Sequence, residues 1–185
     1  MITPLRTSGP AYPEFTPHQD FSLVTRMLVF GDGSTTALLQ QIAGSTLVAD
    51  VLPSCAIDAG IHPLLGEVFT STAGQLRLRH TRLRDGTGAV VSENLITYRA
   101  ADADTLIPPA GVPFGTHVRR LGLYERRRLF DSGLSRQSFG LLPPASVGRC
   151  YEIAFSSLQR VLVHEVFNPD LLASWLDVGR IRPPV

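Results

Sequence analysis

Two long runs of alternating residues, LRLRHTRLR at 76–84 and AVVSENLITYR at 89–99, meet across the four residues Asp85, Gly86, Thr87 and Gly88. Alternation with period two marks a strand, and a short Asp/Gly turn between two such runs folds one antiparallel to the other. A chain built around this hairpin is committed to an antiparallel sheet. In its first strand Arg77, Arg79, Thr81 and Leu83 share one face, opposite Leu76, Leu78, His80, Arg82 and Arg84. Neither face is cleanly apolar, so the strand reads as an edge or a pocket wall rather than a core strand.

A second hairpin is expected near the end, from RCYEIAF at 149–155 and QRVLVHEVF at 159–167. In LVHEVF, Leu162, His164 and Val166 alternate with Val163, Glu165 and Phe167, so Glu165 points where Val163 and Phe167 point. If that face is interior, a carboxylate stands in an apolar wall. Desolvation then raises its pKa, and a partner is required. Arg79 is the candidate, because a guanidinium fork holds a carboxylate. The alternatives are a structural ion pair, or an edge strand with Glu165 in water.

The remaining elements are shorter. FSLVTRMLVF, from Phe21 to Phe30, fits a helix or a strand. GDGS at 31–34 breaks the chain, and Ser34 is placed as the N-cap of a helix through TTALLQQIAG that Gly44 stops. The free amides at this helix start can hold an anion. TLVADVL at 46–52 reads as a strand, and LLGEVFTSTAGQ is ambiguous. Thr116 onward has helical potential, with Leu121, Tyr124 and Leu129 spaced as a buried stripe. On that reading ERRR at 125–128 is a solvated helix face rather than a nucleic-acid surface. FGLLPPASVG is a linker, and NPDLLASWLDVGR is a short C-terminal helix or cap that ends near Gly179. Helix, strand, hairpin, helix, hairpin, helix without βαβ alternation predicts an α+β fold. A mainly antiparallel sheet carries flanking helices packed on it. Residues 1–20 are expected to be an extended arm, and 21–185 one domain.

Composition narrows the chemistry. All seventeen basic residues among the 185 are arginine, which excludes lysine Schiff bases and a P-loop lysine and leaves arginine to recognise anions. A net charge of +1 gives no general pull toward nucleic acid or an anionic membrane. No apolar run approaches a membrane span, and the N-terminus does not read as a signal peptide, so a cytoplasmic protein is expected. Cys55 and Cys150 are read as buried thiols. Five scattered histidines show no metal-ligand spacing, and neither a nucleophile elbow nor a dinucleotide fingerprint occurs. What remains is a set of groups that can converge: Ser34, Arg79, the amides around Phe114 and Gly115, and Glu165. One guanidinium, free amides and one buried carboxyl suit a small aromatic or cyclic carboxylate.

The same residues carry a family likeness. RMLVFGDGSTTALLQQIAG, LRHTRL, SENLITYR followed by LIP, PFGTHV, and RCYEI with LVHEVFNP stand in an order and spacing that resemble the chorismate pyruvate-lyase family, over most of residues 22–170. The resemblance implies that the helices flanking the sheet enclose a buried ligand site, in an enzyme that converts chorismate to 4-hydroxybenzoate and pyruvate, without metal or organic cofactor, as a monomer or weak homodimer. It implies that Arg79 grips the ring carboxylate, that Glu165 lies near the developing 4-hydroxyl, and that backbone amides at Ser34 and Phe114 complete the carboxylate site. Ser34 and Phe114 stand where the family has methionine and leucine, a change that bears on pocket shape. Two rivals accompany this reading. One is an enzyme of the same fold acting on another small acid. The other is a non-catalytic binding domain like the effector-sensing domain of GntR-type regulators, which the short stretch ahead of the first matched segment disfavours.

Overall fold

A computed structural model of the chain describes residues 11–69, 74–123 and 125–178. Its centre is the expected hairpin, β4 (Leu76–Arg84) and β5 (Val90–Arg99). The second hairpin, β7 (Val147–Phe155) and β8 (Arg160–Phe167), is laid against it. β5 pairs with β8, so the two hairpins are stitched together by a pairing of strands distant in sequence. With β1 (Phe15–Thr16), β2 (Val48–Val51), β3 (Cys55–Ile57) and β6 (Glu125–Ser135), they form one antiparallel sheet in the order β1-β6-β7-β8-β5-β4-β2. The eighth strand, β3, pairs with β4 beside β2. The α+β class read from the sequence is the observed one.

β4 is therefore not an edge. β2 and β3 cover its outer side, and its Thr81 and Leu83 line a cavity, so the pocket-wall alternative holds. One face of the sheet carries helices α1 (Leu23–Phe30), α2 (Thr35–Ala43), α4 (Ala103–Leu106), α5 (Phe114–Leu121) and α6 (Pro169–Val178). Leu28, Leu39, Leu106 and Val118 from these helices pack on Leu83, Ile96, Val163 and Phe167. The other face is covered by α3 (Pro63–Val68), by Phe15 and by the loop holding Phe139 and Leu142. Burial on both faces explains why β8 has no exposed residue after Arg160.

Three local expectations are corrected. Residues 125–135 are the longest strand, not a continuation of a helix. α5 stops at Gly122, whose φ of 64° is the left-handed conformation glycine adopts without a Cβ clash. Leu129 is accordingly 42% exposed rather than part of a buried stripe, and Tyr124 lies outside the described residues. FGLLPPASVG is no linker: Phe139 and Leu142 are buried, Ser146 is fully buried, and Gly140 sits so close to Glu93 that a Cβ would collide with its carboxylate. Cys150 is buried as expected, whereas Cys55 is half-buried. Within the expected N-terminal arm, Phe15 pairs with Ser135 and plugs the core; residues 1–10 and Gly179 lie outside the described residues.

Candidate functional site

Cross-strand register decides which side chains meet. Arg79 stands opposite Ile96, which stands opposite Val163 and then Tyr151. One pleat along, Thr81, Asn94, Glu165 and Arg149 form the next row on the same face. Arg79 and Glu165 thus share the helix-covered face, two strands and one pleat apart. That is roughly 12 Å between Cα atoms at ordinary strand spacing and rise. Both are buried, 4% and 3% exposed.

They do not pair. Glu165 accepts from Nε of Arg149 at 3.3 Å, so the expected Arg79–Glu165 partnership is replaced by a buried cross-strand pair between β7 and β8. The reason is register: β5, with Asn94, stands between Glu165 and β4. Arg149 is held on all sides. Its Nη1 donates to the carbonyls of Val29 at 3.1 Å and Gly31 at 3.0 Å, its Nη2 to the Thr35 hydroxyl, and its guanidinium lies 4.3 Å from the Tyr151 ring centroid. One side chain therefore fixes the end of α1, the start of α2 and the carboxylate of Glu165. Burial, then the charge of Glu165, pushes the Tyr151 phenol up, against the pull of Arg149, Arg127 and Thr35.

Arg79 is the opposite case. Its Nη1 donates to the Pro108 carbonyl at 2.6 Å, while Nε and Nη2 are buried without any partner. Burial pushes this guanidinium below the usual arginine value. A buried donor left unmatched is costly, and two on one cation are unusual.

Between these rows and the helices lies a cavity that brings together Ser34, Phe114, Thr81, Asn94, Tyr151 and Glu165. Arg79 does not itself line it, although Ile96 directly across and Thr81 next along do. Ser34 caps α2, its Oγ accepting from the Ala37 amide at 3.4 Å. Phe114 opens α5, whose N-cap is Pro113 with no side-chain bond. Two helix N-termini therefore converge on one hollow, and each presents amides and a partial positive charge. They meet closely at Gly115, where a Cβ would stand 2.7 Å from Thr36 Oγ1 and 2.9 Å from Ser34 Oγ. The hollow is a slit of about 30 Å³, the space of a water or two and less than a benzoate ring needs. A ring therefore needs more room than α2 and α5 leave between them.

Arg127, read from sequence as solvated, also lines this cavity; it donates to the Gly33 carbonyl and to Glu125 Oε1 at 2.9 Å, leaving Nε buried and unpartnered. Sequence reading missed Arg127 because β6 was taken for helix. It missed Arg149 although a signal was present: counting outward from Phe155 and Gln159 across the last hairpin places Arg149 opposite Glu165. Among the described residues no group of three or more His, Cys, Asp or Glu is placed to hold a metal ion, and no helix is long and apolar enough to cross a membrane.

No protein-family model matches the chain, and no curated protein does. Solved structures do. The chain is similar to the effector domain of PhnF from Mycobacterium smegmatis, with a TM-score of 0.54 and 11% identity, over 77% of this chain and 92% of that one. Against PhnF from the same organism the TM-score is 0.52 at 12% identity, over 76% of this chain. The chain spans 65% of the length of that protein. At this identity the likeness establishes the fold, an antiparallel sheet with flanking helices.

Proposed function

We propose that the chain is a small-molecule-binding domain whose ligand is a small ring carboxylate. The carboxylate meets the unsatisfied donors of Arg79 and the amides where α2 and α5 begin, and the ring lies over Ile96 and Val163 toward Glu165. The observation that carries this is Arg79: a cation 4% exposed, with two of its three nitrogens unpartnered, is completed by an anion. The fold shared with an effector domain supports binding as the role. Calorimetric titration with 4-hydroxybenzoate, benzoate and benzamide tests it. Saturable binding of the acids but not of the amide, lost in Arg79→Met, is the expected result. Equal binding of benzamide sinks the reading.

A second reading, chorismate pyruvate-lyase, is favoured by Glu165, a buried carboxylate in the same cavity, and by the ordered motifs that resemble that family. In this chemistry the C4 hydrogen of chorismate passes to the enolpyruvyl methylene while the C3–O bond breaks. Pyruvate leaves and the ring becomes 4-hydroxybenzoate. The protein's part is to hold the enolpyruvyl arm over the ring and stabilise the charge that builds on it, with Arg79 positioning and Glu165 hydrogen-bonding the 4-hydroxyl. Incubation with chorismate, followed by assay for pyruvate, separates the two readings: release that Arg79→Met abolishes supports the lyase, and binding without release supports the sensor-like domain.

A further inference from the structure

The other face of the sheet holds a second and roomier hollow, about 240 Å³, beneath the N-terminal segment and the start of α3. Its floor is His164 and Cys150, its walls are Phe15, Leu64 and His62, and its rim carries Glu14, Asp131 and Arg136. His164 belongs to β8, next to Glu165, and the alternation of the strand turns the two residues to opposite sides. It is 1% exposed and its Nδ1 has no partner; Nδ1 of His62, 5.2 Å away between ring centroids, is likewise buried and unpartnered. Tyr12 closes the ring cluster at 4.7 Å from His164, its hydroxyl hydrogen-bonded with Thr97 at 2.7 Å and so already engaged.

The charges facing this hollow are not balanced. Arg136 is tied to Glu14 at 3.4 Å, whereas Asp131 has no cationic partner among the described residues; its Oδ1 accepts only the Ser132 amide, at 2.8 Å. The negative field reaches inside: Asp131 adds to the burial that pushes the Cys150 thiol up, and Glu14 acts on His62 in the same electrostatic sense. Burial outweighs that field at His62 and holds it below its usual value, while burial and then the neighbouring His62 together push His164 down to about 3. Both rings are therefore neutral at pH 7, and they offer lone pairs while adding no positive charge of their own.

We infer that this second chamber is a binding site for a small organic ammonium ion, with its N–H groups on His164 and His62 and its charge facing Asp131 and Glu14. The orphaned nitrogens gain donors, and the rim gains the cation it lacks. The volume admits an amine of a few carbons, and a turn of either imidazole about its side-chain bond presents its nitrogen to it; the slit on the opposite face has no such room. The inference does not depend on the carboxylate reading of that slit.

The test is titration of the full chain, labelled with ¹⁵N-histidine, with n-propylammonium chloride at pH 7. Saturable shifts of the His62 and His164 nitrogens are expected, with none from 1-propanol, which has the same carbon chain and no charge. Asp131→Asn, an exposed change that leaves the core intact, is expected to weaken the amine about tenfold by removing one unit charge from the rim. No saturable response, an equal response to 1-propanol, or an affinity unchanged in Asp131→Asn overturns the inference. Tighter binding of zinc chloride than of the amine also overturns it, by making the pair a metal site.

Discussion

Replacing Arg79 by methionine separates a binding role from a structural one, because the two roles predict opposite signs. The wild-type side chain makes one hydrogen bond, Nη1 to the Pro108 carbonyl, and buries Nε and Nη2 unmatched. Each unmatched donor costs about 1–3 kcal/mol, while the lost bond, charge-assisted, is worth about 1.5–3 kcal/mol. Methionine keeps an aliphatic stem of similar reach in the same slot and carries no donor. The free protein is therefore expected to gain about 1–2 kcal/mol. For a chain of this size that is a rise in Tm of roughly 2–8 °C, readable by calorimetry. Affinity for 4-hydroxybenzoate is expected to move the other way, by about 2–5 kcal/mol, or from thirtyfold to several thousandfold. A fall in Tm with ligand affinity unchanged refutes the reasoning, since it means Arg79 holds the fold and recognises nothing.

Three further outcomes follow from the same geometry. Arg149→Met strands Glu165 in the core and is expected to cost about 3–5 kcal/mol in urea unfolding, most of which the double change Arg149→Met with Glu165→Leu restores. For Glu93, burial alone would raise the carboxyl, but the His80 bond at 2.6 Å, the Leu141 amide at 2.6 Å and the Arg82 charge outweigh it and hold the group below its usual 4.5. The unfolded chain then takes up protons first as pH falls, so stability drops below about pH 5 and Glu93→Gln flattens that slope in denaturation curves taken between pH 7 and 4. Gly115→Ala sets a methyl against Thr36 and Ser34, which displaces the amides at both helix starts from the carboxylate they are to bind, and is expected to weaken 4-hydroxybenzoate at least tenfold in the same calorimetric titration, while circular dichroism stays unchanged.

The hairpins were legible because their information is local: the Asp85–Gly88 turn and the alternation around it depend on no distant residue. α2 was legible for the same reason, with Ser34 and Gly44 marking its ends as observed, the latter at φ 61°. β6 was not. It flanks the sheet, and β1 pairs with it only at Leu134 and Ser135, so most of its length shows weak alternation, and three arginines beside Leu121 and Leu129 imitate a helix. Alternation grouped Arg79 with Thr81 and Glu165 with Val163, but whether the two groups share a face of the sheet, and which partners they meet, depends on how strands distant in sequence line up. Only the assembled sheet places Asn94 and β5 between them and hands Glu165 to Arg149.

The peptide bond joining His164 to Glu165 is the whole partition between two rooms. Residues at odd positions of β8 furnish one and residues at even positions furnish the other, so a substitution can refurnish either side without disturbing its neighbour. Insertion of a single amino acid into β8 would instead trade the contents of both rooms at once.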